Sequence, residues 1–214
     1  MIKLYHCASA RSFRALWALE ELGLDYELHM LPFPPRVFKK DYLDINPLGT
    51  IPAMFDGNTF MTESSAIAQY LTDRYGNGRL GVPVDDPRYG SYLNWLHFGE
   101  ATLTFPQTLV LRYTRLEPEE RRLPQVAEDY KKWFLGRLRA VEASLEKTSP
   151  WILGDTFTAA DISVAYALML AENLNMDEEF GSNTRAYWQR IQQRDAFKRA
   201  LESQEEAATA QGIA

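Results

Sequence analysis

Between Tyr5 and Arg14 the chain reads Tyr-His-Cys-Ala-Ser-Ala-Arg-Ser-Phe-Arg, gathering a thiol, two serine hydroxyls, an imidazole and two guanidiniums in one short stretch. Cys7 is the one cysteine of the chain, so an internal disulfide framework is excluded. Its thiol could act as a redox nucleophile if its pKa were lowered, or pack as a small buried hydrophobe; no Cys-x-x-Cys arrangement supports the first reading. Ser9 and Ser12 are hydroxyls able to donate to an anion, and Ser12 also stands where it would cap the helix that follows. His6 has no second histidine or acid at ligand spacing, which leaves metal chemistry without a ligand set.

Two later stretches also carry chemistry. In Ile51-Pro52 the proline lacks the N–H that a central strand needs, and X-Pro bonds alone adopt the cis form at low cost. Glu63-Ser64 opens a helical pattern, where unpaired backbone N–H groups and the macrodipole favour an anion. An ordinary cap with an acid beside it would use the same residues.

The elements that must position these groups follow from periodicity. Residues 2–5 alternate as a short strand, Phe13, Leu16, Trp17, Leu19 and Leu22 recur at helical spacing up to Gly23, and Tyr26, Leu28 and Met30 alternate again. This is a β-α-β unit with a parallel pair. Prolines 32, 34 and 35 break the pattern, and the stretch to Ile45 reads as an irregular helical connection. Asn46 to Gly49 is a turn. Strands over Ile51–Phe55 and Thr59–Met61 form a hairpin, and a helix over Ser64–Tyr75 closes at Gly76. Residues 77–86 lack periodicity and read as a linker. Beyond them only helices are expected, over 87–114, 124–147, 159–173 and 184–203, with a tail from Glu202 fraying. Thr158 and Asp161 have the spacing of a capping box.

The chain of 214 residues is 46% hydrophobic, enough for a substantial core, and its 23 basic against 29 acidic residues give a net charge of -6. No basic run exists, which argues against nucleic acid or an anionic membrane as partner. No segment approaches a continuous apolar span, the N-terminus starts in foldable sequence, and a reducing, cytoplasmic setting is expected.

The order of elements, together with Asn46-Pro47-Leu48-Gly49-Thr50-Ile51-Pro52, Glu63-Ser64-Ser65-Ala66-Ile67 and Gly154-Asp155-Thr156-Phe157-Thr158-Ala159-Ala160-Asp161, resembles the cytosolic, bacterial-type glutathione S-transferase family over nearly the whole chain. The resemblance implies an α/β plus all-α architecture: a thioredoxin-like N-terminal domain over 1–78, a linker over 79–86 and an all-helical domain over 87–214. It implies that glutathione binds the first domain, with Ile51 and its cis partner Pro52 pairing the cysteinyl unit, Glu63 taking the γ-glutamyl ammonium and Ser64 its carboxylate. Thr50 replaces the Lys or Arg frequent at that position and would meet the glycyl carboxylate with less charge attraction, with Lys39 or Lys40 as compensation or as solvated loop residues. Arg11 would approach glutathione or its thiolate, while Arg14 reads as structural, near an acid.

In this family a Tyr, Ser or Cys near the first helix activates the glutathione thiol. Here Ala10 stands where the serine usually sits, so Ser9 is the first candidate, Ser12 the second and Cys7 the chemically different third. Tyr5 lies where some bacterial relatives carry a tyrosine. Phe105, Leu109 and Tyr113, with Arg112 as a polar contributor, are the expected lining of an apolar co-substrate pocket. The activity implied is conjugation of glutathione to an apolar electrophile, without metal or redox cofactor, by a homodimer. Glutathione-dependent isomerisation, lysis or peroxide or disulfide reduction is the alternative, and a non-enzymatic binding or regulatory module is the alternative of another class.

Overall fold

The computed structural model describes residues 1–213 and divides into two compact units, Met1–Gly81 joined by Gln192–Ala214, and Val82–Ile191. The last helix, which the sequence expectation placed in the helical domain over 87–214, packs in the first unit.

The first unit opens with β1 (Ile2–His6), α1 (Phe13–Leu22) and β2 (Tyr26–Met30), as its alternation and helical spacing predict. A short helix, α2 (Pro35–Phe38), and a 3-10 turn over Lys40–Asp44 lead to β3 (Ala53–Asp56), β4 (Thr59–Met61) and α3 (Ser64–Tyr75). The strand expected from Ile51 starts two residues later, because Pro52 cannot donate to a ladder. The sheet order is β2-β1-β3-β4, with β1 parallel to β2 and antiparallel to β3. Leu4 and His6 point to one face and are fully buried. Tyr5 points to the other, stacked on His29 at 4.6 Å and meeting Tyr42 and Phe55.

Helix α1 ends where Gly23 turns left-handed (φ 65), a conformation glycine adopts without a Cβ clash. Gly76 does not close α3 in that way; its φ is -69, and the left-handed residues are Asn77 and Gly78.

The second unit begins with α4 (Tyr89–His97) and continues through a π-helical stretch (Phe98–Thr104), α5 (Phe105–Leu111) and a second π stretch (Arg112–Leu116). The sequence expected one regular helix over 87–114. The wider turns free carbonyls, and hydroxyls take them: Ser163 Oγ donates to Leu96 C=O at 2.6 Å and Thr104 Oγ1 to Gly99 C=O at 2.8 Å. Next come α6 (Pro124–Thr148), α7 (Ala159–Asn173) and α8 (Ser182–Gln192). Nearly all of α7 is buried, and it forms the axis of this unit. The capping box at its start is present. Buried Asp161 also accepts from Ile152 N–H and Tyr187 Oη; burial pushes its carboxyl up to about 6 against those donors.

The helix expected over 184–203 is two helices, since α8 stops at Gln192 and α9 runs over Asp195–Ala210. The tail does not fray. In α9, Ala196, Phe197, Ala200 and Gln204 recur at helical spacing and are buried. Phe197 meets Trp17 and Phe13 edge-on at 5.0 and 5.6 Å, Arg194 grips Glu21 through two bonds of 2.7 and 2.8 Å, and Arg199 reaches Glu20 at 2.9 Å. Beyond its end, the Gln211 amide pairs with the free edge of β2, donating to Leu28 C=O and accepting from Met30 N–H, each at 2.8 Å. No helix among the described residues is long and apolar enough to cross a membrane.

Candidate functional site

The strand register brings the expected parts of the site to one edge of the sheet. Tyr5 pairs with Ala53 and Met54 with Met61, so the end of β1, the start of β3 and the end of β4 lie side by side. From this edge α1 and α3 set out, presenting their N-termini. Side chains fasten the parts together. Cys7, Leu31, Tyr42, Ile51 and Ala53 form one buried cluster with Ala10 packed on it, and Arg14, fully buried on α1, donates to Ser64 Oγ at 3.2 Å. Arg14 thereby ties α1 to the hydroxyl at the start of α3.

Ile51–Pro52 is cis, and Ile51 lies outside the sheet ladder, which begins at Ala53. The loop before it is held from below. Buried Asn46 donates through Nδ2 to Thr50 C=O at 2.8 Å and accepts Leu48 N–H through Oδ1 at 3.1 Å, while Tyr42 Oη donates to the same Thr50 carbonyl at 2.7 Å. Gly49 turns the chain at φ 60, and a Cβ there would stand 2.6 Å from Arg36 Cβ. Thr50 itself is exposed. Lys39 pairs with its neighbour Asp41 at 2.9 Å, as a solvated loop lysine does. Glu63 is exposed at the N-terminus of α3, and the Ser65 hydroxyl behind it is buried without a partner among the described residues.

The three candidates for the thiol-activating group are placed very differently. Cys7 is fully buried, its Sγ 3.7 Å from Pro32 C=O, and burial pushes its thiol up to about 12. That is the environment of an inert core cysteine. Ser12 is also fully buried; it makes no cap bond, and its hydroxyl lies 2.6 Å from His6 Nδ1. Ser9 is half-buried, and among the described residues its hydroxyl has no partner. It is the third residue of a turn closed by Ala10 N–H on Cys7 C=O at 3.1 Å, and its φ is 55, a left-handed conformation unusual for a residue with a Cβ. Tyr5, turned to the opposite face of the sheet, belongs to the cluster with His29, Tyr42 and Phe55.

A bare helix N-terminus offers little here. The N–H groups of Phe13, Arg14 and Ala15 are already bonded back to Ala10, Arg11 and Ser12 C=O at 2.8 to 3.3 Å. Arg11, half-buried, stands between the turn and the helix.

Sequence reasoning missed the group behind the turn. Gln204 of α9 accepts both the Ser9 backbone N–H at 2.9 Å and His6 Nε2 at 3.0 Å on its side-chain oxygen. A backbone N–H can only donate, so the atom it meets is the amide oxygen, and His6 must carry its proton on Nε2. Nδ1 is then the acceptor, and Ser12 donates to it. Burial lowers the pKa of His6 to about 4, with the bond to Gln204 opposing, so the ring is neutral near pH 7.

In the second unit, Phe105, Leu109 and Tyr113 follow one another at helical spacing on α5 and the stretch after it. Phe105 is 52% exposed and edges onto Tyr130 of α6, which stacks on Trp133 at 5.6 Å. Arg112 pairs with Glu117 at 2.8 Å and lies over the Tyr113 ring.

Comparison with known proteins agrees with this architecture. The family model for the glutathione S-transferase N-terminal domain matches residues 8–74, and that for the glutathione S-transferase C-terminal domain matches residues 106–204. The chain belongs to the glutathione S-transferase family. It is 29% identical to glutathione S-transferase GstA of Escherichia coli O157:H7 over 206 residues, covering 95% of this chain and 98% of that one. It is 24% identical to glutathione S-transferase 3 of Schizosaccharomyces pombe, over 96% of this chain and 89% of the other. Among solved structures, the glutathione transferase URE2P6 of Phanerochaete chrysosporium in complex with oxidized glutathione superposes with a TM-score of 0.83 at 27% identity, covering 96% and 97% of the two chains. The protein is an enzyme of the glutathione S-transferase type.

Proposed function

We propose that the protein conjugates the thiolate of glutathione to an apolar electrophile, with Ser9 as the thiolate donor. The observation that carries this reading is the half-open hydroxyl of Ser9, without a protein partner, at the edge where Ile51, Glu63 and Ser64 also lie. Glutathione would pair with the backbone of Ile51, its γ-glutamyl end would meet Ser64 and the carboxylate of Glu63, and Thr50 and Arg11 would serve its glycyl end and sulfur. Oxidized glutathione bound to the Phanerochaete relative supports glutathione as the ligand here.

A hydroxyl donor lowers the thiol pKa by stabilising the sulfur anion, and the proton leaves to solvent. The sulfur lone pair then forms a C–S bond to the electrophilic carbon. The leaving group departs with its electron pair or, with a conjugate acceptor, the resulting carbanion takes a proton from water. Phe105, Leu109 and Tyr113, with Arg112, are proposed to receive the electrophile. The buried thiol of Cys7 supports transfer over thiol–disulfide chemistry. A homodimer in the cytoplasm is part of the same proposal, and family membership is its support.

Calorimetry of glutathione on the wild type and on Glu63→Ala, with a nitroaryl halide assay on the same samples, tests this. Binding weakened at least tenfold in the variant, together with conjugation by the wild type, is the expected result. Absence of glutathione binding by the wild type would sink the enzyme mechanism proposed.

A further inference from the structure

We propose that Gln204, on the last helix, is the positioning residue of the catalytic turn: its one oxygen holds the Ser9 backbone N–H and the His6 Nε2–H together, and so aims the Ser9 hydroxyl. This rests on the reading of Ser9 as thiolate donor.

Position 204 lies on the core face of α9, in register with Ala196, Phe197 and Ala200, where an aliphatic side chain would satisfy the packing. An amide there, 4% exposed, costs free energy unless it is bonded, and what it bonds is the turn. Ser9 sits at φ 55, which a residue with a Cβ does not keep without a restraint. Two bonds restrain it: Ala10 N–H on Cys7 C=O, which closes the turn, and its own N–H on Gln204, which ties the turn to α9. The same oxygen fixes the His6 tautomer, which turns the Ser12 hydroxyl proton inward to Nδ1 and leaves Ser12 Oγ as acceptor for Cys7 N–H at 3.4 Å. The first and third residues of the turn, Cys7 and Ser9, are thereby tied to one polar chain.

The anchor is itself rigid. Arg194 on Glu21, Arg199 on Glu20 and Phe197 on Trp17 fix α9 to α1, and Gln211 fixes the far end to β2. A group held on a packed helix places a neighbour more closely than a loop could.

The test is steady-state kinetics over pH on Gln204→Met, which keeps the volume and removes the acceptor, on Gln204→Glu, which restores it, and on Ser9→Ala alone and combined with Gln204→Met. We expect Gln204→Met to lower kcat about tenfold or more and to raise the pKa of bound glutathione, read from thiolate absorbance, while its KM for glutathione changes little. Gln204→Glu should recover most of the rate. In the Ser9→Ala background Gln204→Met should cost nothing further, because both act through one hydroxyl. A Gln204→Met protein with unchanged kcat and thiol pKa overturns the proposal, whatever its stability. Should that variant fail to fold, Gln204→Asn, one methylene short of both donors, takes its place, and wild-type kinetics for it would overturn the proposal equally. If Ser9→Ala itself retains full turnover, the reading of Ser9 fails; if Ser9→Ala is impaired and the position-204 variants are not, only the role of Gln204 fails.

Discussion

Replacing Ser9 by glycine and by alanine separates two properties that the wild-type residue combines. At φ 55 its Cβ crowds the following carbonyl, which costs roughly 1–2 kcal/mol for a residue other than glycine. Glycine escapes that cost but gives up about 0.5–1 kcal/mol of entropy on folding, so the net gain of Ser9→Gly is up to about 1.5 kcal/mol. For a chain of this size each ~1 kcal/mol gained raises Tm by about 2–4 °C. Alanine keeps the Cβ and hence the strain. Both variants lose the hydroxyl, and loss of an anion-stabilising donor lowers kcat by about a hundredfold, somewhat less in a site open to water. Urea and thermal unfolding, run beside a conjugation assay, should therefore find Ser9→Gly more stable than the wild type and Ser9→Ala not, with both similarly impaired. Equal stability of the two variants would refute the strain, and wild-type turnover in both would refute the role of the hydroxyl.

Two further outcomes follow from the same edge of the sheet. Because the pKa of His6 is lowered to about 4 in the fold, the unfolded chain takes up its proton first as pH falls. The stabilisation it gives is complete above its ordinary pKa near 6.5 and is lost towards about 4, by about 3 kcal/mol at most, so urea midpoints should fall over that window and less steeply in His6→Asn. Gly49→Ala would set a Cβ 2.6 Å from Arg36 and 2.9 Å from Leu43 at a left-handed φ. Steady-state kinetics should show KM for glutathione raised several-fold with kcat largely kept, since the displaced residues lead into Ile51 and not into the Ser9 turn.

The first unit was largely legible. Alternation in residues 2–5 and 26–30, the helical recurrence from Phe13 to Leu22 and the motifs around Ile51 and Glu63 led directly to the strands, helices and sheet edge observed. The boundary at 193–194 was not, because the apolar period of α8 runs on into α9 without a glycine or proline to punctuate it. The π stretches also escaped, since widening a turn depends on partners such as Ser163, distant in sequence. At the site, the exposure of Ser9 and the burial of Ser12 and Cys7 depend on which way a short turn faces, and spacing does not encode that. Gln204 left one faint signal, a polar residue on an otherwise apolar helical face. Its partners lie 195 and 198 residues away, beyond any local pattern.

The return of the chain from the second unit to the first also bears on how the protein is made. A ribosome delivers residues 1–81 early, yet the groups that hold α1, the edge of β2 and the Ser9 turn belong to Gln192–Ala214 and emerge last. The intervening unit is a topological insert between the two parts of the first. Translation stopped near residue 190 would thus leave a chain without Gln204 on the Ser9 turn and without the helix packed on α1. The amino end of this enzyme is the first part to be synthesised and takes its anchoring contacts from the last.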